Sequence, residues 1–319
     1  MPPVSTPEPQ PEKQTYIYNH DPENYCTITF DGKSIIVKGK MGSEFSGVKE
    51  QYPPMNIERT VDGDTLTCVL TPTVRRFSQS TGRFYMVNAN GRTSTINLEL
   101  SNSDGISLPD MSSYAAANQR VVDSVTNVSP SRIASYITLD GKLGDKAEKI
   151  WEEITKISNE ICEGIDSDYE KLRAISRWVS DNIYYDHPIY SSGAPQYCLS
   201  LEYMLNNRSS ICGGYATMTS ALCAVQVIRC LNISGMAVIG GKCYPQGAEG
   251  GFHEWNIAEI DGRQIIVDSG WNSGNSLGYD GTYSTGKQIF RYFDIGAEIF
   301  ALDHKAQSAE YRDYLSLFE

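Results

Sequence analysis

The chain has 319 residues, of which 40% are hydrophobic, and this length suggests about two domains with packed cores. That composition excludes natively unfolded and fibrous proteins. With 39 acidic and 27 basic residues the formal net charge is −12, so nucleic acid and anionic membrane surfaces are not expected partners.

Residues 1–14 are rich in proline and glutamate, and we predict a disordered linker there. No later stretch reaches the roughly 18 unbroken apolar residues of a transmembrane helix. We identify no signal-peptide pattern in these residues. Two interpretations follow. The linker is the stalk of an extracellular or surface-tethered protein whose export signal lies upstream, or it is the tail of a cytoplasmic protein.

Residues 15–110 consist of short β-type runs separated by turn residues. The Asp-Gly pair at 31–32 lies between two such runs, which is a strong hairpin signal. We therefore predict a small all-β sandwich domain, whose role the sequence does not name. Cys26 and Cys68 fall on two predicted strands, where a disulfide bridge and a pair of buried free thiols are both compatible with the pattern.

Helical periodicity begins after residue 110, so we expect a second domain at 111–319. Helices are predicted at 114–128 and 145–163, the second with isoleucines at helical spacing. Asp166 or Ser167 can cap a further helix that ends near 184–188.

The sequence SSICGGYA at 209–216 predicts the start of another helix, with both serines as caps, that runs to about Cys230. Cys212 would lie at its N-terminus, where free N–H groups and the helix dipole favour a thiolate. The two glycines would let a substrate backbone approach. A buried structural thiol is the alternative for Cys212, and it is our interpretation of Cys223 and Cys230.

A second hairpin supplies a partner for this thiol. The Asp-Gly pair at 261–262 predicts a two-residue turn between strands, and in that register Trp255 opposes Asp268. His253 then lies diagonal to Asp268, close enough for a carboxylate to reach the imidazole. Strand parity thus predicts a histidine base oriented by an aspartate.

Three motifs resemble the transglutaminase-like superfamily in its bacterial form: ICGGYA at 211–216, HEWN at 253–256 and VDSGW at 267–271. The resemblance covers about residues 145–305. It implies an α+β, papain-like transglutaminase core in which a central helix bearing the cysteine packs against an antiparallel β-sheet.

The resemblance also implies the chemistry. Cys212 would be the nucleophile, His253 the general base and acid, and Asp268 the residue that holds the imidazole tautomer. The expected reaction is thiol-dependent acyl transfer or hydrolysis at amide bonds of a peptide or protein, with cell-wall peptides among the candidates. A non-catalytic surface-binding or scaffold protein that retains the fold is the alternative. No cofactor is expected, and the eight cysteines include no CxxC pair of the kind that holds structural zinc.

The oxyanion donors are the last sequence prediction. The backbone N–H of Cys212 would supply one donor, and an upstream side chain, Gln196 or Tyr197, the second. The alternative is that Gln196 and Tyr197 are simply residues of a surface loop. Trp255 lies within the HEWN motif and Trp271 ends the VDSGW motif, and both are further candidates for substrate contact.

Two residues depart from the family pattern. Ser210 stands two residues before the cysteine, where the family often has glycine, and Gly270 stands where it has threonine. Neither change removes a functional group.

Overall fold

The structure is a computed structural model that describes residues 13–42, 44–237 and 251–318. The chain divides into two compact units, residues 1–111 and 112–319. Within the described ranges, no helix is both long enough and apolar enough to cross a membrane.

The first unit is built from antiparallel strands, in agreement with the all-β prediction. Its strands are β1 (Gln14–Asn19), β2 (Cys26–Phe30), β3 (Ile35–Lys40), β4 (Gly47–Tyr52), β5 (Met55–Asp62), β6 (Thr65–Pro72), β7 (Thr81–Val87), β8 (Thr93–Ser101) and β9 (Gly105–Ser107). One sheet has the order β1-β2-β3-β6-β5 and the other β4-β7-β8-β9.

The predicted hairpin at residues 31–32 joins β2 to β3. Phe30 pairs with Ile35, and Gly32 has φ +79°, a conformation that glycine adopts without a Cβ clash. The carboxylate of Asp31 accepts the backbone N–H of Ser34 at 2.6 Å and so closes the turn.

Cys26 and Cys68 are buried free thiols, so the bridged alternative is not formed. Burial raises the pKa of the Cys26 thiol, and the neighbouring Cys68 raises it further. Both side chains therefore act as small apolar residues of the β-domain core.

The second unit combines helices with two further sheets. Its helices are α1 (Ser112–Asp123), α2 (Pro130–Ile137), α3 (Asp145–Ile161), α4 (Asp168–Asn182), α5 (His187–Ser191), α6 (Leu201–Asn207), α7 (Cys212–Val225), α8 (Ser269–Asn272) and α9 (Ala297–Phe300). Its strands are β10 (Thr126–Asn127), β11 (Tyr184–Asp186), β12 (Ser209–Ser210), β13 (Arg229–Ala237), β14 (Phe252–Ile260), β15 (Arg263–Val267), β16 (Ser276–Leu277), β17 (Tyr283–Ser284) and β18 (His304–Tyr311). Short 3₁₀ helices span Gln196–Leu199 and Leu315–Leu317.

The main sheet of this unit has the order β10-β18-β13-β14-β15, and a smaller one has the order β12-β11-β16-β17. Helix α7 is buried from Cys212 to Cys223 and packs against β13 and β14. The amide of Asn256 on β14 donates to the carbonyl oxygens of Ala216 (3.0 Å) and Leu231 (3.1 Å), which ties the helix to the sheet. The expected helix-on-sheet core is confirmed.

Two helix ends differ from the predictions. Helix α7 ends at Val225, because Val227 adopts a left-handed conformation at φ +58°, and Cys230 lies on β13. The prediction that placed Cys230 in the helix was therefore wrong. Helix α1 ends at Asp123 rather than residue 128. Ser167 does cap α4, since its hydroxyl accepts the backbone N–H of Glu170.

The hairpin between β14 and β15 has the predicted register. Asp261 and Gly262 both have positive φ, +51° and +73°, as a two-residue type I′ turn requires. Ile260 pairs with Arg263, and the pairing continues to the end of β15 at Val267. Because Asp268 follows directly, the turn fixes which side of the hairpin it shares with the residues of β14.

Candidate active site

Cys212 is the first residue of α7 and is 8% exposed. The residue before it, Ile211, is the N-cap and offers no side-chain acceptor, so the prediction that serines cap this helix was wrong. Instead Ser209 and Ser210 form β12, and their hydroxyls donate to Asp186 Oδ2 (2.7 Å) and to the carbonyl of Cys198 (2.6 Å). No side-chain cap therefore occupies the start of α7, where Gly214 and Tyr215 donate their backbone N–H groups to the carbonyl of Ile211.

The glycine pair after Cys212 is explained by crowding within the protein. A Cβ on Gly213 would lie 3.0 Å from Leu199 and 3.1 Å from the Glu254 carboxylate. A Cβ on Gly214 would lie 1.9 Å from the hydroxyl of Ser210. The space that we expected a substrate backbone to use is therefore occupied by the protein's own side chains.

His253, near the start of β14, connects the thiol to a carboxylate. Its Nε2 lies 2.6 Å from Asp268 Oδ2, and its ring also hydrogen-bonds the side chain of Cys212. Because Nε2 faces the carboxylate, Nδ1 is the nitrogen available to the sulfur. The three residues that the sequence predicted to meet are adjacent, and both His253 and Asp268 are buried.

Asp268 has two structural partners at once. Its Oδ1 accepts the backbone N–H of Trp271 at 2.9 Å and caps α8, while Oδ2 accepts from His253. Burial alone would raise the pKa of this carboxyl, but the charges and hydrogen bonds of His253 and His304 hold it well below its usual range. Asp268 is therefore an ionised acceptor whose orientation the helix cap fixes.

The charge on Asp268 decides the protonation of His253. Burial of the imidazole opposes its charged form, yet the Asp268 charge and hydrogen bond, with a contribution from Cys212, raise its pKa from 6.5 to about 10. At the neighbouring Cys198 the neutral form is favoured instead, since burial raises the pKa of its thiol to about 12. The site thus favours a protonated His253 next to Cys212 and keeps Cys198 a neutral thiol.

Comparison with known proteins finds a family match that spans these three residues. The sequence profile described as Transglutaminase-like superfamily matches residues 155–271, which contain Cys212, His253 and Asp268. Residues 155–271 are a transglutaminase-like domain.

Two curated relatives share this region. They are the Kyphoscoliosis peptidase of Mus musculus, 28% identical over 143 residues, and that of Homo sapiens, 27% identical over 122 residues. The matches cover 43% and 38% of this chain but only 22% and 18% of those proteins. A crystal structure of a TGase aligns with 75% of this chain and 49% of its own, at 12% identity and a TM-score of 0.31.

Aromatic rings surround His253. The ring of Trp271 lies 4.9 Å from that of His253, and the ring of Trp255 lies 6.0 Å away. Trp255 is only 2% exposed, because it packs against Phe300 and His304. Its burial argues against the substrate contact that we expected, whereas Trp271 is half-buried and its contact with a substrate stays a prediction.

The segment predicted to supply the second oxyanion donor packs against α7, the helix that begins at Cys212. Gln196 and Tyr197 begin the 3₁₀ helix, both are exposed, and Leu199 of the same turn approaches Gly213. A donating role for either side chain stays a prediction.

The two departures from the family pattern fit the structure. Ser210 is accommodated because Gly214, whose missing side chain leaves room for the hydroxyl, follows it. A Cβ on Gly270 would make only ordinary contacts, 3.4 Å to Asp268 Oδ1 and 3.6 Å to Tyr215. The Cβ that a threonine would add there is thus sterically possible.

The sequence prediction missed His304, which begins β18 and whose Nε2 lies 3.4 Å from Asp268 Oδ2. Among the described residues, His253, Asp268 and His304 are one buried group whose donor atoms lie within 4.8 Å of one another. Two ligands on one zinc ion are about 3.3 Å apart, whereas His253 and Asp268 approach to 2.6 Å. As arranged, His253 and Asp268 are a hydrogen-bonded pair rather than two ligands of one metal ion.

Proposed function

We propose that this protein catalyses thiol-dependent acyl transfer or hydrolysis at peptide or protein amide bonds. The observation that carries the proposal is the contact series from Cys212 through His253 to Asp268. Cys212 lies at a helix N-terminus, and the pKa of the adjacent His253 is raised to about 10. His253 in turn contacts the buried carboxylate of Asp268. This series is the arrangement that activates a thiol nucleophile.

The reaction would proceed in two steps. The Cys212 sulfur bonds to the amide carbonyl carbon, and His253 passes its Nδ1 proton to the departing nitrogen as the C–N bond breaks. This step leaves a thioester. Water or a second amine then attacks that carbonyl carbon, His253 accepts the attacking group's proton, and the C–S bond breaks to release Cys212. Asp268 holds Nε2–H throughout, so Nδ1 remains the nitrogen that exchanges the proton.

The negative oxygen of each tetrahedral intermediate requires donors. The backbone N–H of Cys212, in the first turn of α7, is suited to be one of them. We propose Gln196 as the second donor, because the 3₁₀ helix that it begins packs against α7. The peptidase name of the two relatives supports an amide substrate, although it belongs to much longer proteins.

Alkylation with iodoacetamide tests the proposal without a known substrate. We expect Cys212 to be the fastest-reacting thiol at neutral pH, Cys212→Ser to abolish that fast phase, and His253→Ala to slow it by at least tenfold. Cys198→Ser is the matched control, because Cys198 neighbours Cys212 but is a fully buried thiol. Equal alkylation rates for wild type and His253→Ala would contradict the proposal and favour a non-catalytic binding protein.

Transfer and hydrolysis are separated by a second assay. Incubation with a glutamine-containing protein and an amine-bearing fluorophore gives label incorporation if an amine is the acyl acceptor. It gives peptide cleavage or ammonia release if water is. Both signals should be absent in Cys212→Ser.

A further inference from the structure

The exposed aromatic side chains of the second unit lie on segments that adjoin the candidate active site. Among the described residues of 112–319, the exposed aromatic side chains are Tyr190, Tyr197, Phe252, Tyr279 and Tyr283. Phe252 directly precedes His253, and Tyr197 lies on the 3₁₀ helix that packs against α7. Tyr190 lies on α5, and the other two belong to the hairpin of β16 and β17. Exposed rings concentrated in one region are typical of an interaction surface.

Two tyrosines connect this surface to the reacting groups. Strand β11, which contains Tyr185, pairs with β12, and β12 ends two residues before Cys212. Burial raises the pKa of the Tyr185 phenol, and the charge of the nearby Cys212 raises it further. The ring of Tyr190 lies 6.1 Å from that of Tyr185. Its hydroxyl lies 3.2 Å from the Cβ position of Gly251, two residues before His253. Tyr190 therefore borders both the segment that carries the thiol and the segment that carries the histidine.

Tyr279 extends this group of rings. Its side chain is 75% exposed, and its hydroxyl shares a hydrogen bond of 2.6 Å with the hydroxyl of Ser191 on α5. The ring of His187 lies 6.3 Å from that of Tyr279 and 5.2 Å from that of Tyr185, so it joins the two. Tyr185, Tyr190 and Tyr279 thus form one continuous group, which we call the tyrosine cluster.

Hydrogen bonds hold the segments that carry the tyrosine cluster. Asp186 Oδ1 accepts the backbone N–H of Ile189 at 2.9 Å and caps α5, while its Oδ2 accepts the hydroxyl of Ser209 on β12 at 2.7 Å. This carboxylate ties α5 to β12. Strand β16 pairs with β11, and in the turn that follows it Asp280 accepts the backbone N–H of Thr282 at 3.0 Å. Rings that are held in place before binding lose little conformational entropy when a ligand contacts them.

The segments of the cluster carry few charges. Residues 187–197 and 276–284 contain no lysine or arginine, and Asp280 is their only acidic residue. Both segments are rich in tyrosine, serine and glycine, which is the composition of antibody loops that bind proteins. Recognition at this surface would therefore use ring faces and hydroxyl groups rather than ion pairs.

An aromatic side chain would gain most from such a surface. An aliphatic side chain gains only from the burial of its apolar area, whereas an aromatic ring also gains from edge-to-face or offset contacts with the tyrosine rings. Tyr190 is 47% exposed and Tyr279 is 75% exposed, so both rings are open to such contacts. Because Tyr185 neighbours Cys212, a ring bound there would lie close to an amide that the thiol attacks.

We propose that the tyrosine cluster is a substrate subsite that binds an aromatic side chain beside the amide attacked by Cys212. The substrate class is a peptide or protein segment with phenylalanine, tyrosine or tryptophan next to the reacting amide. Tyr190 and Tyr279 determine this specificity, and Tyr185 forms the end of the subsite nearest the sulfur. The proposal rests on the proposed function, which supplies the reacting thiol.

Two alkylating reagents test the subsite without a known substrate. N-benzyl iodoacetamide carries an aromatic ring, and N-cyclohexylmethyl iodoacetamide carries a saturated ring of similar size. Mass spectrometry gives the alkylation rate of Cys212 with each reagent, which is divided by that reagent's rate with free cysteine. We expect the benzyl reagent to be about three- to tenfold faster after this correction. Equal corrected rates, or a faster cyclohexylmethyl reagent, would overturn the proposal.

Variants show whether the preference comes from the cluster. Tyr190→Ala and Tyr279→Ala should each bring the ratio of the two corrected rates close to that of equal reactivity. Tyr279→Phe keeps the ring, so it should retain most of the preference. Since both reagents attack the same thiol, a change in its reactivity cancels in the ratio. A wild-type ratio in either alanine variant, or loss of the preference in Tyr279→Phe, would count against the subsite.

Val227→Ala is the matched control. Val227 is an apolar residue, 81% exposed, that lies beyond the opposite end of α7 from Cys212. Its truncation removes exposed apolar surface from the same unit, and the wild-type ratio should remain. A ratio that falls as far in this control as in the tyrosine variants would contradict the assignment to the cluster.

The outcomes separate this proposal from the proposed function. Alkylation of Cys212 that His253→Ala leaves unchanged contradicts the proposed function. Alkylation that depends on His253 but shows no preference between the two reagents leaves the proposed function intact and overturns the aromatic subsite.

Discussion

Asp268→Asn separates the charge of this residue from its role as a helix cap. The asparagine Oδ1 can still accept the Trp271 N–H that caps α8. The amide nitrogen that replaces Oδ2 would donate, not accept, at the 2.6 Å contact with His253 Nε2. His253 must then place its proton on Nδ1, toward Cys212, where the proposed mechanism needs an acceptor.

The size of the effect follows from the contact distance. Two unit charges with centres about 4 Å apart interact by about 4 kcal/mol at an effective dielectric constant of about 20, which equals about three pKa units. Loss of that interaction would bring the pKa of His253 from about 10 back to its ordinary range. The ratio of protonated to neutral His253 would fall about a thousandfold.

Alkylation at neutral pH and turnover of a peptide amide both report this population. We expect each to fall by about two to four orders of magnitude in Asp268→Asn, while circular dichroism shows an intact fold. Asp294→Asn is the matched control, because Asp294 is also buried and pairs with Arg263 through two contacts of 2.7 Å. The control should lose stability but keep its alkylation profile. An Asp268→Asn protein within tenfold of wild type would refute the reasoning and leave Asp268 as a cap.

Three further predictions concern stability. Gly214→Ala should lower the melting temperature, because the added Cβ would clash with the hydroxyl of Ser210 at a cost of about 1–3 kcal/mol. Gly270→Ala should be tolerated, because its Cβ would make only ordinary contacts. Thermal unfolding of both variants measures the difference. The stability that Asp268→Asn removes should be largest between about pH 4 and 6.5. Below this window the stabilisation by Asp268 declines as its carboxylate, whose pKa is lowered in the fold, becomes protonated. Above it the stabilisation is lost as the pH rises toward the His253 pKa of about 10. The free energies of unfolding of wild type and Asp268→Asn, measured across this pH range, test this. Asn256→Ala should cost about 1–3 kcal/mol, because two buried carbonyl oxygens lose their donor, and an unchanged urea midpoint would contradict that account.

Local chemistry in the sequence determined a large part of the site. The Asp-Gly turn at 261–262 has the backbone conformation that such a pair favours, and it fixed the register of β14 and β15. Strand parity then placed His253 and Asp268 on one side. The start of α7 at Cys212 was likewise predicted, although the capping serines were not correct. Short-range rules succeed here because turn type and register depend on neighbouring residues alone.

The tertiary structure decided the rest. The glycines at 213 and 214 are required by side chains from the 3₁₀ helix, β12 and β14, which no local pattern specifies. His304 reaches Asp268 only because β18 pairs with β13, which in turn pairs with β14. The sequence by itself thus determined the cysteine, histidine and aspartate and the hairpin that joins two of them. The shared carboxylate and the charge around it arise from strands far apart in the chain, so only their packing could place a second histidine there.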